Sequence, residues 1–158
     1  MDGNRITKKN KLTIILPLLD KHQYTSVWIK NNIFHEFNYI VADGSKSDDN
    51  EKLIKEIKHN NLQYIKYFNE VHVKDWMYKM ANSSLKSTTE YTMTVDNDDF
   101  INPVGINKCI KALENQKKYD FASGNIHFVK QIRNKYKLLT STMRFSGYTN
   151  KHKFELIK

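Results

Sequence analysis

A single cysteine, Cys109, occurs in 158 residues. No intramolecular disulfide can form, and the lack of a disulfide framework fits a reducing compartment. Glycine is sparse, five in all, and its placement excludes the commoner phosphate cradles. No G-x-G-x-x-G follows the first apolar run and no G-x-x-x-x-G-K-S/T occurs anywhere; Gly44-Ser45-Lys46-Ser47 imitates the end of a P-loop without its first glycine or its spacing. Dinucleotide oxidoreductases and P-loop NTPases therefore recede. Long apolar runs are missing too. No N-terminal stretch has the pattern of a signal peptide and no run approaches a membrane span, so the expectation is a soluble cytoplasmic protein. The histidines show no ligand spacing; His72, in a loop ahead of a predicted helix, lies nearest the expected crevice.

What is present is enough for a folded core. With 39% hydrophobic and 12% aromatic residues, a chain of this length makes one domain or most of one, and disorder is not expected. Acidic residues are outnumbered 17 to 26 by Lys and Arg, for a formal charge of +9. Such a balance favours an anionic partner, and a peripheral contact with a membrane face stays open. Only Lys8, Lys9 and Lys11 form a dense basic knot. Without an RNA-recognition aromatic signature, zinc spacing or zipper beside it, nucleic acid is not the expected partner.

Apolar patterning gives an alternating chain. Leu12 to Leu16 is a continuous apolar run ended by Pro17, as expected for a strand buried on both faces. Tyr24, Val27, Trp28 and Ile33 recur at helical spacing, predicting a helix over Tyr24 to Asn32 with an aromatic face on the sheet. Tyr39 to Ala42 is a second buried strand, followed by Asp43, Gly44 and Ser45 and then a helix carrying Leu53, Ile54 and Ile57. Leu62 to Phe68 reads as a third strand, and Trp76 to Lys86 as a helix burying Trp76, Met77, Met80 and Leu85. Tyr91 to Val95 is a short buried strand, Ile106, Ile110 and Leu113 mark a further helix, and Phe121 to Val129 reads as one strand or an antiparallel pair. The alternation predicts an α/β fold with a mostly parallel sheet and helices on both faces.

In a parallel sheet the segments after successive strands leave one edge, where ligands bind. Leu19 and Asp20, Asp43 to Ser45, and Asp96 to Asp99 thereby become neighbours. The last segment sits in YTMTVDNDDFINP, where Asn102-Pro103 reads as N-cap and first turn of a helix. Its three carboxylates repel one another, and a divalent cation shared with a phosphate relieves that repulsion, since Mg2+ takes oxygen ligands from one or two carboxylates plus phosphates. The competing reading makes Asp98 and Asp99 ordinary turn and helix-start residues. A calcium loop is excluded, because counting from Asp96 puts Ile101 where glycine is required and Asn107 where the closing glutamate belongs. Asp43 could meet a base or ribose, or could make an Asx-turn before Gly44; its immediate neighbours allow either.

Several of these stretches, in this order, resemble the nucleotide-sugar-binding half of a family-2 glycosyltransferase of GT-A fold. TIILPLLD is similar to the family's opening strand, and IVADGSKSDDN to its second-strand signature. NSSLKSTTEYTMTVDNDDFINP resembles its Asn-x-Gly-Ile/Leu, Gly-Glu-Tyr and Asp-x-Asp-Asp-x-x-x-Pro run through Asn82, Leu85, Glu90, Tyr91, Asp96, Asp98, Asp99 and Pro103. Ala42 departs from a usual Asp, Ala81 from a common basic residue, and Ser84 and Thr89 from usual glycines. The resemblance implies a Rossmann-like GT-A domain whose Asp43 recognises the base, commonly uracil, and whose Asp96 contacts ribose or sugar. It implies that Asp98 of the D-x-D motif coordinates Mn2+ or Mg2+ bridging two phosphates, that Leu19 and Asp20 line the base pocket, and that a hexosyl group passes to a carbohydrate or glycan-lipid acceptor with inversion.

The resemblance covers a donor-binding core of about residues 12–129 within a single domain. In the family the base that deprotonates the acceptor is an acid well downstream of the metal acid. Sixty residues follow Asp98, and neither Asp120 nor Glu155 is nominated, so a short or truncated acceptor half is expected. Two other readings stand beside this one. A nucleotidyltransferase-like enzyme wants a basic, glycine-rich loop after the first strand, and PLLDKHQY is not one. A non-catalytic basic module would hold polyanions in a salt-sensitive manner.

Overall fold

The computed structural model describes residues 10–68, 70–116, 119–122, 127–132, 135–140, 144–145 and 156–157. The chain divides into two units, Met1–Ile101 and Asn102–Lys158. The first unit alternates strand and helix: β1 (Leu12–Leu18), α1 (His22–Asn32), β2 (Asn38–Asp43), α2 (Asp49–Lys55), β3 (Leu62–Lys66), α3 (Val73–Leu85) and β4 (Tyr91–Thr94). The strands form one sheet in the order β3-β2-β1-β4, every pairing parallel. The expected α/β architecture is present.

β1 is central and buried along its whole length. Ile14 lies opposite Tyr39 and Leu16 opposite Val41 on one face, while Ile15 lies opposite Ile40 and Pro17 opposite Ala42 on the other. Removing such side chains from water is worth roughly 1.5–3 kcal/mol each, which is why the apolar run sits here. On the first face α1 inserts Trp28, whose ring meets Tyr39 edge-on with centroids 6.2 Å apart. On the second, Met80 of α3 packs against Ile15, Ile40 and Ala42, with Ile65 and Tyr67 alongside. Helices therefore cover both faces.

The strand runs through Pro17 to Leu18 where the sequence predicts a stop. Residues of a parallel strand turn their backbone polar groups alternately to the two neighbours, and Ile15 turns toward β4, accepting from the Val95 amide at 3.1 Å. Pro17 faces the same way, but the β4 ladder ends at the Ile15–Thr94 pair. The N–H that proline lacks would have found no strand there.

Predicted burials in three elements differ from those observed. β4 is paired on one side alone among the described residues, and Thr92, Met93 and Thr94 are exposed, leaving Val95 as the buried residue of that run. In α3 Trp76, Met77 and Leu85 are exposed, and the buried positions are Lys79, Met80 and Ser83. Likewise α1 buries Thr25, Trp28 and Asn32 while Tyr24 and Val27 are exposed, and Ile57 lies beyond the end of α2.

In the second unit α4 (Pro103–Asn115) starts as expected, with the Asn102 side chain accepting from the Val104 and Gly105 amides at 3.0 and 3.3 Å. β5 (His127–Ile132) and β6 (Lys135–Thr140) form an antiparallel pair in which His127 faces Thr140, and β7 (Arg144–Phe145) pairs with β8 (Leu156–Ile157). The expected Phe121 to Val129 stretch overlaps β5 only at His127–Val129, Phe121 and Ala122 lie in no strand, and residues 123–126 lie outside the described residues. Glu155, weighed as a base, also lies outside them.

His59, just before β3, lies parallel to His35 with centroids 5.3 Å apart and meets Tyr39 edge-on at 5.5 Å. Burial, and then the charge of the facing His35, hold its pKa below the ordinary value. As pH falls through about 6.5 the unfolded chain takes up a proton that folded His59 refuses, so its contribution is intact above that pH and is lost below it. Urea melts at pH 7.5 and 5.5 should show lower stability at the acid end, with a shallower difference in His59→Gln; equal slopes in both proteins would remove this residue as the cause.

Candidate functional site

The sheet order places a switch point beside β1. From β1 the chain moves outward through β2 and β3, then returns to the opposite side of β1 as β4. The connections after β1 and β4 diverge there, which opens a crevice at the carboxyl edge. The loop after β4 carries Asp96, Asp98 and Asp99, all exposed, each offering a carboxylate oxygen within 4.8 Å of the others.

That loop is fastened from α1. Asn32, fully buried, donates from Nδ2 to the Asp99 carbonyl at 3.2 Å and accepts at Oδ1 from the Ile101 amide at 2.8 Å. Two turns earlier on the same helix face, Thr25 Oγ1 lies 3.2 Å from Asn97 Nδ2. These bonds tie the loop to α1 on either side of Asp98. Local burial, and then the charges of Asp98 and Asp96, push the Asp99 carboxyl above the usual carboxylate range. The donor set is hard oxygen at the spacing a divalent cation uses, and the mutual repulsion is what such a cation relieves. The three carboxylates suit a divalent cation.

The loop after β2 treats its carboxylate differently. Asp43 is 0% exposed. Its Oδ1 accepts from the Ser45 amide at 2.9 Å and from the Ser45 hydroxyl, and its Oδ2 accepts from the Tyr64 hydroxyl at 2.7 Å with Lys66 Nζ at 3.5 Å. Burial and the bond to Asp43 raise the Tyr64 hydroxyl far above its ordinary pKa. Ser45 Oγ in turn accepts from the Asp20 amide at 2.6 Å and from Asn50 Nδ2 at 3.0 Å. The Asx-turn weighed for Asp43 is formed, and through Ser45 it holds the amide of Asp20, which with Lys21 has φ in the left-handed region, 53° and 52°.

Between the loops after β1 and β3 lies a cleft of about 310 Å3, lined by Leu19, Glu70, Val71, His72, Val73 and Trp76. Beneath it Lys79, 1% exposed, donates to the Leu18 carbonyl at 2.9 Å and pairs with Glu70 Oε2. Asp75, at the start of α3, accepts from the Val71 and His72 amides at 3.1 and 2.9 Å, fixing the cleft's rim. Those bonds hold its pKa low. Gly44 abuts the pair: a Cβ there would lie 2.7 Å from Glu70 Oε2 and 2.9 Å from Glu70 Cβ.

The glycosyl transferase family 2 pattern matches residues 8–157. This chain belongs to that family. No curated protein matches it. Membership agrees with the sheet order and makes the protein a glycosyltransferase of the general kind, acting between a sugar donor and an acceptor. No helix among the described residues is long and apolar enough to cross a membrane.

Of the residues picked from the sequence of this family 2 chain, Asp96 and Asp98 come together with Asp99, Leu19 lines the cleft, Asp20 meets Ser45 through its backbone, and Asp43 is enclosed. Thr25, Asn32, Glu70 and Lys79 were missed. A signal for two of them exists: Thr25 and Asn32 flank Trp28 at helical spacing, so polar side chains share the apolar stripe.

Asn32→Ala removes both bonds to the acid loop and leaves an amide and a carbonyl without partners. Chemical denaturation should register a loss of about 1–3 kcal/mol, with faster hydrogen exchange at the Ile101 amide; unchanged exchange there would show the loop is held by other means. Gly44→Ala forces the Glu70 side chain or the loop backbone aside and should cost about 1–3 kcal/mol in the same measurement. A neutral result would mean that the loop shifts freely.

Proposed function

We propose that this chain binds a nucleotide-diphospho-sugar together with Mn2+ or Mg2+ and transfers the sugar, a hexosyl group, to an acceptor hydroxyl with inversion, a UDP-sugar being the donor expected. The observation that carries the reading is the convergence of three exposed carboxylates beside the switch point of a parallel sheet in a family 2 chain. In this reading Asp98 holds the cation, with Asp99 beside it, and Asp96 turns toward ribose or sugar. When bound, the cation supplies positive charge against the departing diphosphate. Leu19 and Asp20 flank the base, and Asp43 serves the same pocket by fixing Gly44 and Ser45 at its edge. The lone cysteine agrees with a cytoplasmic place of action.

The chain's own residues set the conditions for transfer. Asn32 and Thr25 keep the acids converged, so little reorganisation is needed when a charged ligand arrives. The acceptor is a carbohydrate or glycan-lipid hydroxyl.

Calorimetric titration of UDP, GDP and CDP, first with Mn2+ and then with chelator, tests the reading. Asp98→Asn should lower the affinity for the preferred nucleotide by about tenfold or more, the scale of a charge-assisted ligand bond. Its melting temperature should hold or rise, since one of three repelling charges is gone. Unchanged affinity in the variant would refute the metal site. Binding that ignores chelator and collapses with salt would point instead to a basic polyanion-binding module.

A further inference from the structure

We propose that Glu70 is the carboxylate that reads the donor's nucleobase, and that Lys79 sets it for a base presenting a single imino N–H, the uracil and thymine pattern. The inference rests on the donor-binding reading above and deepens it.

A carboxylate that discriminates between bases needs a free oxygen at the pocket wall. Asp43 has none to offer: it is fully enclosed, with Oδ1 held by Ser45 and Oδ2 by Tyr64 and Lys66. Glu70 is the acid that lines the cleft between the loops after β1 and β3. The cleft's 310 Å3 is at the small end for ligand sites and suits a base better than a whole nucleotide-sugar. Leu19, Val71, Val73 and Trp76 give it apolar walls, and Trp76, exposed on one side, offers a face on which a base can stack.

The hydrogen-bonding capacity of Glu70 is asymmetric. Oε2 is buried without a hydrogen bond and is balanced by the Lys79 ammonium as an ion pair, while Lys79 donates to the Leu18 carbonyl at the end of the central strand. The Glu70 amide donates to the Gly44 carbonyl at 3.0 Å, and the bare α-carbon of Gly44 admits the carboxylate against the β2 loop. Oε1 has no hydrogen bond among the described residues, so one acceptor oxygen is left for a ligand. Guanine presents two adjacent N–H groups on its Watson–Crick edge and wants both oxygens. Cytosine and adenine place a ring-nitrogen acceptor where Oε1 would meet it. Uracil and thymine present one N–H at that place. Lys79 is a positioning residue: it anchors Oε2 and thereby aims Oε1.

The test is titration of UDP, CDP and GDP with Mn2+ into the full chain and into Glu70→Gln, Lys79→Arg and Trp76→Ala. The wild type should prefer UDP over CDP by at least about tenfold, the scale set by an unpaired buried group. Glu70→Gln should bring that ratio close to one, because an amide can turn its N–H2 toward the cytosine ring nitrogen, while the response to chelator stays as in wild type. Lys79→Arg, which keeps the charge and the donors, should retain the preference. Trp76→Ala lies on the exposed side of α3, so it folds regardless of the buried pair, and it should weaken every nucleotide without altering Mn2+ dependence. A UDP/CDP ratio unchanged in Glu70→Gln, wild-type affinity in Trp76→Ala, or a wild type that prefers GDP or CDP overturns this inference and leaves the donor site intact. A wild type that binds no nucleoside diphosphate with Mn2+ overturns the donor reading and this inference with it.

Discussion

Everything at the carboxyl edge depends on β1 being flanked by parallel strands and sealed on both faces. A strand in that position has no freedom of register, because a slip by one residue would exchange Ile14 and Leu16 for Ile15 and Pro17 against the helices on either side. Fixed register fixes where Leu18 ends, and three things are measured from that point: the Gly44 amide at 2.9 Å, the Lys79 ammonium at 2.9 Å, and the start of the left-handed turn at Asp20. The loops of the site are thus referenced to the core.

The two acidic loops show opposite solutions to the same electrostatic problem. Asp43 is taken out of water and satisfied within the fold, which is affordable because Ser45, Tyr64 and Lys66 supply donors and positive charge. Asp96, Asp98 and Asp99 are exposed and crowded, and the Asp99 carboxyl is pushed up first by local burial and then by the charges of Asp98 and Asp96. The two loops thus differ in whether their carboxylates are answered within the fold. The hidden one works on the shape of the loop.

Much of this was legible in the sequence, for identifiable reasons. Continuous apolar runs announced β1 and β2, Asn102-Pro103 announced the start of α4, and the acid cluster stood out against a basic chain. Family membership followed from the order of those stretches. What stayed hidden were polar residues that face inward. Residue type counts Lys79 and Asn32 as solvent-facing, yet each carries its partners with it, Lys79 in Glu70 and Leu18, Asn32 in the backbone of Asp99 and Ile101. The exposure of β4 was equally invisible, since Tyr, Thr and Met suit an edge strand as well as a central one. The enclosure of Asp43 depends on Tyr64, a residue brought near by the β2–β3 pairing and not by sequence distance.

The contact of Gly44 with Glu70 and Lys79 has an evolutionary corollary. A side chain at position 44 has no room while Glu70 stands there, a shorter residue at position 70 strands a buried ammonium, and an apolar residue at position 79 leaves a carboxylate uncompensated. Each of the three changes costs stability when made singly. As sequences of this lineage diverge, the triplet should drift as one unit, inherited whole or replaced whole, so that covariation among positions 44, 70 and 79 marks the branches that share this arrangement of the pocket floor.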